Sequence, residues 1–344
     1  ADVIFAPHDN YIDFYPDAPG FSFDHIGFNR DRQPIWAWLN EGRQAQSYRW
    51  RANAYRPFLE ANIASLKELA RPTGYFIDVW SSIGPYESWT RDGQLEDRLT
   101  HRDAWASAFN WIRETLGNNA PQISESGHDQ LIGALDGAQT NHLRVDAAPP
   151  DGKSWMVWKI RCADAERIPW TDTAHHDRFA LHGAGYESRY LGGLPADLHG
   201  IYSDDYMTTE VLTGHPGMSS TIFNRDVVRK YWLLNDLMTR LALKRIESVT
   251  FDGDDLHRQE VRWEDGGRVF ANRGEKDWQA GGNILPQYGF HAEAGGLTCA
   301  IERKSECLAE WSKSPKAWYV NARPVIPAPL PVSVTLQSLR LVEG

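Results

Sequence analysis

Short apolar runs alternate with amphipathic segments in the first part of the chain. The apolar runs YFIDVW (75–80) and PQISES (121–126) are typical of buried strands. Between them, DAWASAFNWIRETLG (103–117) has helical spacing and ends at a glycine. A helix at 54–70 and a first strand at 2–6 are predicted upstream. This order is typical of parallel βα units and predicts a (β/α)8-type barrel.

The pattern changes at residue 245, where short alternating runs separated by Asp-Gly turns begin. These runs predict a C-terminal antiparallel β-sandwich, so the domains are predicted as 1–244 and 245–344. With weaker candidates at 155–161 and 198–202, about five or six parallel strands are counted where a closed barrel needs eight. We expect that the barrel lacks its N-terminal strands. The alternative is that strands inside 7–50 and 127–200 escape detection.

Composition narrows the class of partner. A net charge of −10 argues against nucleic acid and anionic membrane surfaces. No apolar run reaches the roughly 18 residues of a membrane span. The three cysteines are too few for a disulfide framework and show no CxxC spacing, so neither a metal nor another cofactor is predicted. Fifteen tryptophans and thirteen tyrosines favour a carbohydrate partner, because flat amphipathic rings stack on sugars.

Two carboxylates are the catalytic candidates. Asp78 lies inside the apolar run YFIDVW, and Glu125 ends the next predicted strand. Carboxylates at neighbouring strand tips meet the needs of glycosidic cleavage, in which one group protonates the leaving oxygen and the other attacks the anomeric carbon. A separation of about 5 to 5.5 Å would retain configuration and about 6.5 to 9.5 Å would invert it. The alternatives are a buried structural carboxylate for Asp78 and a helix cap or salt bridge for Glu125.

Aromatic and polar side chains near these strands are candidates for substrate binding. Trp80 would face the same side as Asp78 if the strand continues past it. Three consecutive residues of the HHD segment cannot all point into one site, so at most two of them are functional. The predicted set is His8, Asn10, Tyr11, Trp36, Trp38, Gln46, Trp80, His175, His176 and Asp177.

Other interpretations stay open. The cluster at residues 8–10 is also typical of a turn that satisfies its own backbone. His8 and Asp9 could pair with the later histidines in a metal-dependent hydrolase, although no HxH or HExxH spacing supports this. A non-catalytic carbohydrate-binding protein on a degenerate barrel is the third possibility.

Several motifs together resemble a known group. HDNYIDFYPDA, an aromatic loop containing QSY, YFIDVW, ISESG and a HHD segment ahead of helices and a β-sandwich resemble the endo-α-N-acetylgalactosaminidase-related glycoside hydrolases and their uncharacterised bacterial relatives. The similarity extends over roughly residues 1–295. It implies a retaining mechanism at α-linked sugars, with Asp78 as nucleophile and Glu125 as acid/base.

The chain also departs from that group. In the relatives, further strands and usually a β-sandwich precede the barrel, and this sequence lacks them. The loops that set substrate identity are the parts least alike, so the sugar does not carry over. Enzymes of this kind are often exported, yet the chain shows no signal peptide, which leaves a secreted or periplasmic location open.

Overall fold

The structure is a computed structural model that describes residues 3–125, 129–139, 170–182, 196–219 and 222–325. These residues form two units, and the first comprises the described residues up to Gln139 together with Arg178–His182. Its elements are β1 (His8–Asn10), β2 (Asp13–Phe14), β3 (Trp36–Asn40), β4 (Ala45–Arg49), α1 (Arg56–Leu69), β5 (Tyr75–Asp78), β6 (Ser88–Trp89), β7 (Leu95–Glu96), α2 (Arg98–Leu116), β8 (Gln122–Glu125), β9 (Gly137–Gln139) and β10 (Ala180–His182).

A parallel sheet organises this unit, with its strands in the order β1-β5-β8-β9-β10. The predicted βα pattern is confirmed for β5, α2 and β8. Asp97 begins α2 by accepting a hydrogen bond from the Thr100 amide at 2.8 Å, which satisfies one of the free amides of the first turn. The described residues contribute five parallel strands to this sheet, whereas a closed barrel has eight, so the complete barrel stays a prediction.

Several sequence-based strand assignments change. The predicted first strand at 2–6 is not a strand in its described part: Val3 is 80% exposed and Ile4 61%, and the strand forms at His8–Asn10. The predicted strand at 198–202 is wrong, because the helix Ala196–His199 begins this segment. Strands β9 and β10 lie where no local pattern predicted a strand. The candidate strand at 155–161 lies outside the described residues.

The segment between β1 and α1 forms a small antiparallel sheet instead of a barrel strand. Its order is β2-β4-β3, and Trp36 lies opposite Tyr48. Phe14 stacks on Trp50 with ring centroids 3.8 Å apart. Aromatic packing therefore uses much of the ring content of this segment.

The second unit contains the described residues 170–177 and those from 196 onward. Its elements are α3 (Trp170–His175), α4 (Ala196–His199), α5 (Asp204–Thr213), α6 (Arg225–Leu241), β11 (Ile246–Asp252), β12 (Asp255–Trp263), β13 (Arg268–Asn272), β14 (Trp278–Ala280), β15 (Asn283–Leu285), β16 (Gly289–Ala294), β17 (Leu297–Lys304), β18 (Cys307–Lys313) and β19 (Trp318–Pro324).

A seven-stranded antiparallel sheet is the centre of the second unit, in the order β11-β12-β13-β16-β17-β18-β19. The apolar face of α6 packs on it, with Leu233 and Leu237 in one core with Val261 and Phe290. The antiparallel prediction is confirmed, but this sheet is backed by helices, whereas a sandwich needs two facing sheets. The predicted boundary at 244/245 separates α6 from the sheet with which it shares a core. In the described ranges, no helix combines the length and the apolar character that crossing a bilayer requires.

Candidate active site

The parallel strands of the first unit end in one row of polar residues. Backbone register pairs Asn10 with Asp78, Glu125 with Gln139, and Gln139 with His182. Strands β5 and β8 pair one position earlier, at Ile77 and Ser124, so Asp78 and Glu125 occupy the next position. In this row the last residues of the five strands are Asn10, Asp78, Glu125, Gln139 and His182. The carboxyl edge of a parallel sheet is where α/β enzymes carry their catalytic groups.

Asp78 is the accessible carboxylate of this row. Its side chain is 27% exposed, and Oδ2 lies 3.6 Å from Nε2 of His8. The His8 ring stacks on Phe76, with centroids 5.3 Å apart and planes at 18°. Phe76 and Asp78 are two residues apart on β5 and therefore project from the same face. The structure thus brings together two predicted site residues, His8 and Asp78, while Glu125 is 3% exposed.

The chain leaves β5 through a tight turn immediately after Asp78. Val79 has φ +67°, and the Trp80 amide donates to the Asp78 carbonyl oxygen at 2.8 Å, which makes residues 78–80 a γ-turn. A β-branched residue rarely adopts positive φ, and such backbone costs about 1–3 kcal/mol. Strain of this kind concentrates at functional sites when the surrounding structure holds it in place.

The γ-turn also changes the role of Trp80. Trp80 was predicted to face the same side as Asp78 only if the strand continued, and β5 ends at Asp78. Trp80 is fully buried, its ring stacks on Trp105 at 5.6 Å, and Nε1 donates to the Tyr11 carbonyl oxygen at 3.3 Å. A ring in this position packs the core and has no exposed face for a sugar. We therefore leave Trp80 out of the substrate site.

Tyr11 and Asp9 form a partly buried polar cluster on the opposite face of β1. The Asp9 carboxylate accepts from Tyr11 Oη at 2.6 Å, Tyr75 Oη at 2.8 Å and Asn62 Nδ2 at 2.6 Å. Burial, followed by the charge of Asp9, raises the pKa of both tyrosines well above their ordinary value. Tyr11 is 6% exposed, so it stabilises this cluster and does not face the row.

This cluster also bears on the metal interpretation. Successive residues of a strand project from opposite faces, so His8 and Asp9 do not present ligands to one ion. Within the described part of the chain, no group of three or more His, Cys, Asp or Glu side chains is arranged to hold a metal.

Asn10 shapes the turn after β1. Its Oδ1 accepts from the Ile12 and Asp13 amides at 2.8 and 3.1 Å, and its Nδ2 donates to Asp13 Oδ2 at 3.0 Å. Asp13 Oδ1 in turn accepts from the Trp38 amide at 2.9 Å and Ser47 Oγ at 2.8 Å. The side chains of Asn10 and Asp13 thus tie β3 to the end of β1, next to the strand that carries Asp78.

Trp36 and Trp38 are exposed on β3. The two residues are 69% and 59% exposed, which leaves ring surface available for stacking. Gln46 instead donates to the backbone oxygens of Ala37 and Ser47, at 3.3 and 2.8 Å, and so stabilises the hairpin. The exposed rings of Trp36 and Trp38 leave their role as a stacking platform a prediction. The side-chain amide of Gln46 is already hydrogen-bonded to the backbone.

The HHD residues belong to the second unit. His176 is 6% exposed, and its ring nitrogens lie 2.7 Å from the Lys244 oxygen and 3.1 Å from the Gly214 oxygen. These bonds and an edge contact with Trp263 make it a packing residue. His175 and Asp177 are partly exposed, and a substrate role for either stays a prediction.

Sequence reasoning did not single out three neighbours of the two carboxylates. Val79 makes the γ-turn, and the buried serines Ser81 and Ser124 bond across the ends of β5 and β8. For the two serines, the sequence signal was their position next to the ends of the two predicted strands. Nothing in the sequence marks Val79, because valine is a strand former and is disfavoured at positive φ.

Comparison with known proteins gives information on the fold alone. No protein-family model and no curated protein matches the sequence. Among solved structures, the α-N-acetylgalactosaminidase NagBb from Bifidobacterium bifidum in complex with GalNAc aligns with a TM-score of 0.58 at 16% identity, over 78% of this chain and 41% of that chain. Its ligand-free form gives the same TM-score and identity over 78% of this chain and 40% of that chain. The chain therefore shares a glycoside hydrolase-like fold and spans about 40% of the length of these structures.

A second neighbour is more distant. An isomalto-dextranase from Arthrobacter globiformis T6 aligns with a TM-score of 0.45 at 13% identity, over 89% of this chain and 64% of that chain. A likeness at this level is too weak to carry an argument.

Proposed function

We propose that the protein is a retaining glycoside hydrolase for α-linked sugars, with Asp78 as nucleophile and Glu125 as acid/base. The observation that carries the proposal is that the two carboxylates occupy the next position after the last register pair of two adjacent parallel strands. Neighbouring strands lie about 4.8 Å apart. Side chains at matching positions of such strands fit the separation of about 5 to 5.5 Å that a retaining mechanism uses.

The proposed reaction has two steps. An Asp78 oxygen attacks the anomeric carbon while the Glu125 carboxylic acid gives its proton to the departing glycosidic oxygen. Glu125, now ionised, takes a proton from water, and that water displaces Asp78 from the sugar. With this proton from water, Glu125 is a carboxylic acid again and Asp78 is a free carboxylate, so both residues are ready for the next cycle. His8, 3.6 Å from Asp78, lies where a hydrogen bond to a sugar hydroxyl is within reach.

The wider architecture supports this proposal. We propose that the five parallel strands belong to a (β/α)8-type barrel, because they share a fold with a neighbour described as an α-N-acetylgalactosaminidase. That description and the motif resemblance both guide the choice of first substrate toward α-linked N-acetylgalactosamine. Trp36 and Trp38 offer stacking surface for further sugar units.

The test uses aryl α-glycosides of N-acetylgalactosamine, galactose and glucose, each with a 2,4-dinitrophenyl or a phenyl leaving group. Asp78→Asn should abolish turnover of all substrates. Glu125→Gln should spare the first step on dinitrophenyl glycosides, which needs no protonation, so that about one equivalent of dinitrophenol is released before slow hydrolysis of the glycosyl-enzyme. On phenyl glycosides the same variant should lower the rate by about 10²–10⁴-fold. Asp103→Asn, at an exposed carboxylate of α2, is the control and should keep wild-type rates.

Two outcomes count against the proposal. Full activity of Asp78→Asn would remove Asp78 from the mechanism. Sugar binding by the wild-type chain, measured by calorimetry, without turnover of any glycoside would favour the carbohydrate-binding interpretation.

A further inference from the structure

Two buried serines join the ends of the strands that carry Asp78 and Glu125. Ser124 Oγ donates to the Ile77 carbonyl oxygen at 2.6 Å and accepts from the Ser81 amide at 3.2 Å. Ser81 Oγ donates to the Glu125 carbonyl oxygen at 2.5 Å. We call Ser81 and Ser124 the serine clasp; they are 1% and 0% exposed.

The serine clasp lies where the backbone ladder stops. The last register pair of β5 and β8 is Ile77 with Ser124, and the γ-turn at Val79 then takes the chain away from the sheet. Both carboxylates thus follow the last backbone pair. Beyond that pair, the described bonds between the two segments come from serine hydroxyls and the Ser81 amide.

Each serine acts next to one of the carboxylates. Ser124 holds the carbonyl group directly before Asp78, and Ser81 holds the carbonyl group of Glu125 itself. A hydroxyl can donate one bond while it accepts others, and Ser124 does both. Ser81 is three residues after Asp78, so it also fixes the loop that follows the γ-turn to β8.

We infer that the serine clasp is a positioning device that sets the spacing and orientation of the Asp78 and Glu125 carboxylates. This inference rests on the proposed function. A retaining mechanism depends on carboxylates held about 5 to 5.5 Å apart, and a displacement of about 1 Å can lower the rate about 10²-fold. Loss of the clasp therefore lowers kcat, while KM, which depends on contacts with the sugar, changes little.

An isosteric pair of variants isolates the hydroxyl. Ser81→Thr and Ser81→Val have the same shape, so any strain from the added methyl groups cancels between them. We expect kcat of the valine variant to be at least about 10-fold below that of the threonine variant, with KM equal within about 2-fold. The ratio should be larger for phenyl than for dinitrophenyl glycosides, because Ser81 holds the residue that donates the proton.

Two further pairs serve as controls. Ser82 Oγ bonds to Val79 O within the same loop and does not reach β8, so Ser82→Thr and Ser82→Val should have equal kcat. Ser88, also fully buried, bonds to His101 away from the row, and Ser88→Ala should lower stability without changing the ratio of kcat to KM. If the Ser81 variants do not fold, Ser124→Thr and Ser124→Val provide the same comparison.

The outcomes separate the two hypotheses. Equal kcat for the threonine and valine variants, alongside inactive Asp78→Asn, would overturn the positioning role and leave the proposed function standing. Undiminished activity of Asp78→Asn, or a wild-type chain that turns over none of the glycosides, would overturn both. A valine-specific loss of kcat with the leaving-group dependence described supports the serine clasp.

Discussion

His101 gives the first unit a pH-dependent stability. Its ring is fully buried at the start of α2, with Nε2 2.9 Å from Ser88 Oγ. Burial, assisted by the positive charge of Arg49 and opposed by Asp97, lowers the pKa of His101 from 6.5 to about 4. Below pH 6.5 the unfolded chain takes up a proton that the folded chain refuses, so the free energy of unfolding falls as the pH drops toward 4.

The size of this effect follows from the two pKa values. Each unit by which the pKa differs between the folded and unfolded states corresponds to about 1.4 kcal/mol of stability. His101 therefore accounts for about 3 kcal/mol that is present above pH 6.5 and lost by about pH 4. His101→Gln and His101→Leu both remove the titrating ring. Each should flatten the fall in unfolding free energy by up to about 1.4 kcal/mol per pH unit within this window.

Urea unfolding between pH 7 and 4.5, followed by pulsed hydrogen exchange in peptides of α2, measures this slope. The two variants differ in packing and hence in absolute stability, but their slopes should agree with each other and be shallower than that of the wild type. Parallel curves for the wild type and both variants would refute the assignment of the pH dependence to His101.

Three further predictions address stability and substrate binding. Gly214→Ala should lower the free energy of unfolding of the second unit by about 1–3 kcal/mol in urea, because φ is +72° and the new Cβ would lie 2.4 Å from Trp263 Cη2. Gly217→Ala is the control: its Cβ would lie 3.6 Å from Lys230, an ordinary contact, so it should have little effect. Asp205→Asn should lower the free energy of unfolding by about 3–5 kcal/mol in the same assay, because Arg273 would stay buried after losing an ion pair at 2.6 Å. Asp252→Asn, at an exposed ion pair, is the control and should lower it by less than about 1 kcal/mol. Equal losses for the two variants would contradict this prediction. Replacing Trp36 and Trp38 together by alanine should raise KM for α-linked oligosaccharides and leave kinetics on phenyl monosaccharides unchanged; an equal change on both substrate types would place these rings outside a substrate surface.

The sequence predicted the parts of the fold whose local signals agree with one another. Strands β5 and β8 combine apolar runs with an amphipathic segment between them that is followed by a glycine. The helix itself begins at Arg98, five residues before the predicted start at 103. The strand alternation beyond residue 245 likewise indicated an antiparallel sheet. Asp78 and Glu125 were both chosen as candidates because a carboxylate at the tip of an apolar strand is unusual. Both do end parallel strands, and their catalytic roles stay a prediction.

Other features depended on tertiary context. Strands β9 and β10 have three residues each, too few to show periodicity. The apolar residues at 3–5 predicted a buried strand, yet they are exposed, since pairing with β5 begins at His8. Trp80 lies in the core and not at the expected site wall, because β5 ends at Asp78 and the γ-turn follows. Tyr11 is buried by a different contact, the hydrogen bond of its hydroxyl to Asp9.

Trapping a covalent glycosyl-enzyme tests whether Asp78 is the nucleophile. Glu125→Gln lacks the base that activates water, so incubation with a dinitrophenyl α-glycoside should leave the sugar attached to the enzyme. Intact mass spectrometry should show the addition of one glycosyl group, and peptide mapping should locate it on Asp78. An unmodified chain that releases product with inverted configuration, or a sugar attached to another residue, would contradict the assignment of Asp78 as nucleophile.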